Sequence, residues 1–212
     1  MPRLRRSRLL KLARFWLFAA VLPVLAAPPA LAATPAMGPR AVVQHLYSEL
    51  LDVMKNAKAL GVKGRYQKLE PLIFGTFDVP FMARLTIGPL WFTLPPEQKY
   101  RAAQAYGHYV TAIYADRFDG YAGEKLEVFG ERKIPHGLVV HTQIVKSDGE
   151  PVTLNYLVHD NAIGWQIRDV YETGTISQLA TQRSEFAQIL RTGGIEGLIA
   201  ALNKKTAALM TP

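Results

Sequence analysis

Leu138-Val139-Val140-His141-Thr142-Gln143-Ile144-Val145, then Asp148-Gly149, then Val152-Thr153-Leu154-Asn155-Tyr156-Leu157-Val158: here the chain repeats with a period of two around a turn dipeptide. Alternating large and polar residues on both sides of Asp-Gly are a strong short-range hairpin signal. The pattern extends both ways. It predicts strands over 124–131, 137–146, 151–159 and 164–172, with Asp160-Asn161 and Gly164 marking the next reversal. Short turns between successive strands make a four-stranded antiparallel meander.

The turns also predict a register. If Ser147 pairs with Glu150, then Val139, His141, Gln143 and Val145 share a face with Val152, Leu154, Tyr156 and Val158. If His159 pairs with Gly164, that face gains Trp165, Ile167, Asp169 and Tyr171, and Gln166, Arg168 and Val170 point outward to water. Alternation is strict, so a slip of one residue reverses a strand's whole assignment.

Before the meander the period is 3.6. A helix is predicted over 39–59, opened by Pro39 and carrying Val43, Leu46, Tyr47, Leu50 and Met54 at helical spacing. A second covers 63–73, and a third runs from an Asp78 cap to Gly88. A long helix over 95–117 follows Pro95-Pro96-Glu97. After the meander, helices are expected over 176–190 and 195–209, divided by Gly193-Gly194. Helices, meander, helices is the order of an α+β domain, with the helices packed on one face of the sheet. Phe81, Leu85, Trp91, Tyr106, Val110 and Tyr114 are the helical partners expected for the apolar sheet face. These side chains either fill a core or line a cavity, and periodicity does not separate the two.

The chain has 212 residues, no Cys, and 25 Lys+Arg against 17 Asp+Glu, a formal net charge of +8. Six of the basic residues, Arg3, Arg5, Arg6, Arg8, Lys11 and Arg14, precede any acidic one. They are followed by an apolar run over 15–27 and the small-residue triplet Ala30-Leu31-Ala32. This is the order of an export signal cleaved after residue 32, and the run is too short to span a bilayer. Residues 33–38 read as a linker and 39–212 as a single domain. Without residues 1–32 the balance is 19 basic to 17 acidic, so no charge argument for a nucleic-acid partner remains. An exported chain without Cys relies on packing, and the bacterial periplasm is the expected compartment.

The sequence has no glycine-rich phosphate loop, no Gly-x-Ser-x-Gly elbow and no paired-His metal motif, and a Cys nucleophile is excluded. No cofactor or metal is expected. The one catalytic constellation to weigh is His141, Gln143 and Asp169 on the apolar face. A carboxylate there has its pKa raised by desolvation, and His is the usual acid or base. The alternative for Asp169 is structural: accepting backbone N–H groups in the bend after the last strand.

Phe77-Asp78 with Met82-Ala83-Arg84, Trp91 with Thr93 and Glu97-Gln98, and Trp165-Gln166-Ile167-Arg168-Asp169-Val170 occur in a fixed order. Arg183-Ser184-Glu185-Phe186 and Gly193-Gly194-Ile195-Glu196-Gly197-Leu198-Ile199 complete the series. In this order the chain resembles the MlaC family of periplasmic lipid carriers over residues 40–206. Gly174-Thr175-Ile176-Ser177 departs from the usual Gly-Val-Ser-Leu by one inserted residue and is similar to the hopanoid-associated HpnM branch.

The resemblance implies a non-enzymatic shuttle carrying phospholipid or hopanoid between the inner and outer membranes. Its implied partners are an inner-membrane ABC transporter with its accessory lipid-binding protein, and an outer-membrane lipid donor complex. It also favours a cavity over a filled core and a structural Asp169. The expected lipid-binding residues are Phe81, Leu85, Trp91, Tyr106, Val110, Tyr114, Val139, Leu154, Tyr156, Val158, Trp165, Ile167 and Tyr171. Burying a CH₂ is worth about 0.8 kcal/mol, so a bare tail of about 16 carbons would cost roughly 12 kcal/mol to carry through water. A shuttle therefore needs a deep apolar wall. The rival readings are a small cavity enzyme, a hydrolyase or isomerase using His141 and Asp169, and a ligand-free interaction module.

Overall fold

The structure is a computed structural model that describes residues 37–211. The expected export signal over 1–32 lies outside the described residues, as does most of the expected linker over 33–38. Helix α1, Pro39–Lys55, starts with proline at its first position, where a missing N–H is no loss. It ends at Asn56, and α2, Ala57–Thr76, follows with a non-helical Gly61 (φ 59°) inside it. Helix α3, Val79–Ile87, is capped by Asp78, whose carboxylate accepts the Phe81 N–H at 3.2 Å. Gly88 (φ 71°) ends it and opens a 3₁₀ turn over Gly88–Thr93. Helix α4 spans Pro96–Arg117.

The sheet follows: β1 Lys125–Ile134, β2 Gly137–Val145, β3 Pro151–Asn161, β4 Gly164–Glu172 and β5 Ile176–Ser177. All neighbours are antiparallel, in chain order. The fold is α+β with a five-stranded sheet, not the four strands expected. The extra strand is two residues long, too short to carry an alternation. Ile176 and Ser177 fold back onto Glu172 and Tyr171 through a turn holding Thr173 (φ 49°) and Gly174 (φ 83°). Helix α5, Gln178–Leu209, is broken at Gly194 (φ 59°), where the sequence placed a division. Among the described residues, no helix is long and apolar enough to cross a membrane.

The register between β2 and β3 is one residue away from the expected one. Lys146, not Ser147, pairs with Glu150: the Lys146 N–H reaches the Glu150 carbonyl at 3.1 Å and the Gly149 N–H reaches the Lys146 carbonyl at 2.9 Å. Ser147-Asp148-Gly149 is thus a three-residue loop ending in a positive-φ glycine (φ 87°). Val140 now faces Tyr156 and Thr142 faces Leu154, which turns Val139, His141, Gln143 and Val145 to the opposite side.

Strand β4 carries a bulge at Arg168, because Val158 pairs with Ile167 and Leu157 with Asp169. Ile167 therefore stays on the core face, and Val170 and Glu172 follow it there opposite Tyr156 and Leu154, in place of the expected Asp169 and Tyr171. The expectation that Gln166, Arg168 and Val170 are wet is also corrected. Gln166 and Val170 are buried, and Arg168 pairs with Asp78 at 2.9 Å and stacks over Phe81.

The core lies between the sheet and the helices. α1 crosses the sheet and meets β1 through β4, whereas α4 packs chiefly on α2, α3 and α5. Phe77 ties α2 to the sheet through a parallel bridge to Ile167, and the Asp78 N–H reaches the Ile167 carbonyl at 2.8 Å.

Candidate functional site

Because α4 rides on other helices, its C-terminal half stands off the sheet and leaves a space. That cavity has a volume of about 760 Å³. Ile113, Tyr114 and Phe118 of α4 form one wall; Ile144, Val152, Leu154, Tyr156 and Val170 of the sheet form the other. Met54 of α1 and the loop through Gly120, Tyr121 and Ala122 close its sides. The size falls within the roughly 300–1,000 Å³ usual for small-molecule pockets.

Tyr114 and Tyr156 put phenol groups on the walls, and Tyr47 packs behind Tyr156. Tyr47 and Tyr156 meet edge to face with centroids 5.7 Å apart, and the Tyr47 hydroxyl shares a 2.5 Å hydrogen bond with Thr142. Burial pushes Tyr47, Tyr114 and Tyr156 above the ordinary phenol value of 10.0, so these walls stay neutral at any physiological pH. Charge is confined to the rim. Arg117 pairs with Glu172 at 3.3 Å, Lys146 pairs with Glu150 at 3.0 Å, and Asp119 and Glu124 also reach the opening. The arrangement can hold hydrocarbon inside and a polar, charged group outside.

A second cavity of about 590 Å³ lies beyond Tyr114. Phe77 lines it and packs edge to face on Tyr114, 5.7 Å between centroids, so this aromatic pair is the partition between the two spaces. Trp91, Phe74 and Tyr100 are on its other walls.

Of the thirteen residues expected to line a pocket, Tyr114, Leu154 and Tyr156 stand on the wall of the larger cavity and Trp91 on that of the smaller. Tyr106, Val110, Val158 and Ile167 are buried in packed core. Phe81 lies under the Arg168 guanidinium, 4.1 Å from the ring centroid, and Leu85 is on the surface. Val139 is on the opposite face of the sheet, across from Leu157. Trp165 is half-buried opposite Asp160, and Tyr171 opposite Asn155.

The expected lining set left out Met54, Phe118, Ile144, Val152 and Val170, although Val152 was placed on that sheet face. The three-residue loop ending in Gly149 would have recovered Ile144, because it places Ile144 across from Val152.

The suspected catalytic group does not assemble. His141 shares a 3.2 Å hydrogen bond with Asn155 and stacks on Phe129, and the Gln143 amide donates to Glu127 at 2.7 Å. Asp169 is engaged elsewhere: Oδ1 accepts the Val170 N–H (2.8 Å) and the Leu179 N–H (3.2 Å), and Oδ2 accepts the Ser177 hydroxyl (2.6 Å). Ser177 in turn caps α5 by accepting the Ala180 N–H. Asp169 thus fastens β4 to the start of α5. Its pKa is raised by burial, and the three hydrogen bonds only partly oppose that. Among the described residues, no cluster of three or more His, Asp or Glu side chains could hold a metal ion.

The model of a protein family described as MlaC protein matches residues 44–204. The chain belongs to the MlaC family. A similar solved structure is that of a phospholipid-binding protein from Ralstonia solanacearum in complex with a phospholipid. It is 21% identical, superposes with a TM-score of 0.71, and the match covers 82% of this chain and 99% of that one. That likeness places the chain in the same fold. The MlaC-like stretch Trp165 to Val170 is the segment whose bulge seats Arg168 on Asp78 and whose Asp169 anchors α5, so its residues build the scaffold around the cavity.

Proposed function

We propose that this member of the MlaC family is a non-enzymatic periplasmic shuttle that carries a lipid with its tail in the cavity between α4 and the sheet. The observation that carries this reading is the division of chemistry there: neutral aromatic and aliphatic walls inside, ion pairs at the rim. Tails gain from the walls, and a headgroup keeps its water at the opening. Family membership and the fold shared with a phospholipid-binding protein support the same ligand class. The amino-terminal sequence supports export with cleavage after residue 32, leaving a single domain over 39–212. A carrier releases cargo only to a state that binds it better, so it works between partners. The expected ones are an inner-membrane ABC transporter with its accessory lipid-binding protein and an outer-membrane donor complex.

Phospholipid is the first candidate ligand. The Gly174-Thr175-Ile176-Ser177 form supports a hopanoid as the second. Organic extraction of protein purified without detergent, followed by mass spectrometry, tests both. Near-stoichiometric phospholipid or hopanoid is expected. A chain recovered without lipid, and unable to take any up from vesicles, would remove the shuttle reading.

A further inference from the structure

The surface around the 3₁₀ turn combines two features. The first is exposed hydrocarbon. Phe92 is 71% exposed and Leu85 38%, and both border a shallow hollow of about 380 Å³. The second is unpaired positive charge. Arg84 and Arg183 line that hollow, and Arg183 and Arg191 line an adjoining one of about 390 Å³, the two meeting at Pro89. Arg101, Arg117 and Arg168 each hold a carboxylate, whereas Arg84, Arg183 and Arg191 form no ion pair among the described residues. No acidic side chain lines either hollow.

The arrangement is built by the backbone. Gly88 is buried with φ 71°, and the Arg183 guanidinium lies about where its side chain would be, 3.1 Å from an added Cβ. The absence of a side chain at Gly88 therefore lets Arg183 lie against the turn that carries Phe92.

We propose that this face docks on an anionic bilayer surface. Guanidinium forks match phosphate oxygens, and the headgroup-to-acyl boundary accepts Phe92 and Leu85 without a shaped socket. A folded protein partner would need a complementary pocket for Phe92; a fluid surface does not. The face is distinct from the rim of the larger cavity, so docking is separable from lipid uptake.

The test is co-sedimentation with vesicles of pure phosphatidylcholine and of equimolar phosphatidylcholine and phosphatidylglycerol. The basic, apolar amino-terminal stretch can itself bind vesicles, so the readout is the difference between the unsubstituted chain and its variants. Anionic vesicles are expected to retain the chain far better than neutral ones, and salt is expected to weaken that retention. Each basic side chain at such a surface contributes about fivefold to partitioning, so Arg84→Gln with Arg183→Gln should reduce it about 25-fold. Phe92→Ser should weaken retention on the same vesicles and leave circular dichroism unchanged. Equal retention on neutral vesicles, or variants that sediment like the unsubstituted chain, would overturn the proposal.

Discussion

Tyr156 is fully buried, yet it stands on the cavity wall, in edge-to-face contact with Tyr47 and across the space from α4. A carboxylate there would have no counter-ion in the interior, so Tyr156→Asp should cut bound lipid by at least an order of magnitude. Thr153→Asp, three residues earlier on the opposite face of β3, is the matched control and should retain its lipid; phosphate assay of extracts from both variants checks the pair. Asp169 gives a pH prediction. Its carboxyl is raised above 3.8 by burial, so the fold binds its proton more tightly than the unfolded chain does. The stability this group supplies is complete below the unfolded value and is lost as pH rises through the folded one. Asp169→Asn keeps an oxygen for both the Val170 and Leu179 N–H groups and disturbs only Ser177, a cost of about 1 kcal/mol. The melting temperature of Asp169→Asn relative to the unsubstituted chain should therefore rise between about pH 4 and pH 7. A constant difference across that range would refute the assignment.

Helix α3 is held by one residue doing two things. Asp78 caps it at the Phe81 N–H and pairs with Arg168 on the bulge of β4, at a site where the two side chains are only 13% and 17% exposed. Asp78→Ala loses both and leaves a partly buried guanidinium alone, which should cost about 2–3 kcal/mol in urea unfolding. Asp78→Asn retains a capping oxygen and should cost roughly half as much. The cap at Asp78, the stop at Gly88 and the break at Gly194 were all legible in sequence, because each is a local backbone requirement. The register was not. Asp148-Gly149 announces a turn but not whether two or three residues form it, and that single residue decides whether Val139 or Val140 meets the core. The bulge at Arg168 was hidden for a related reason: the group Arg168 meets there is Asp78, ninety residues earlier, and periodicity does not see across the chain.

Across the whole molecule, the α+β order was readable because it follows from runs of 3.6 and 2 periodicity, while the cavity depends on how far α4 stands from the sheet. That distance is set by α2, α3 and α5, which hold α4 from behind, so aromatic residues predicted to line one pocket are divided between a cavity wall and packed core. Tyr106 shows the division: it lies about two turns before the cavity-lining Ile113 on α4, donates to Gln182 at 2.6 Å and is fully buried. A space kept open by helix packing links cargo to stability. A ligand bound only by the folded chain stabilises it by RT ln(1 + [L]/Kd), about 2.7 kcal/mol at a hundredfold excess over Kd. At roughly 2–4 °C per kcal/mol for a chain of this size, delipidation should lower the melting temperature by about 5–10 °C. Readdition of lipid should restore it, while Tyr156→Asp should melt at one temperature whether or not lipid is supplied. If the unsubstituted chain also melts at one temperature with and without lipid in scanning calorimetry, the space between α4 and the sheet is not where cargo binds.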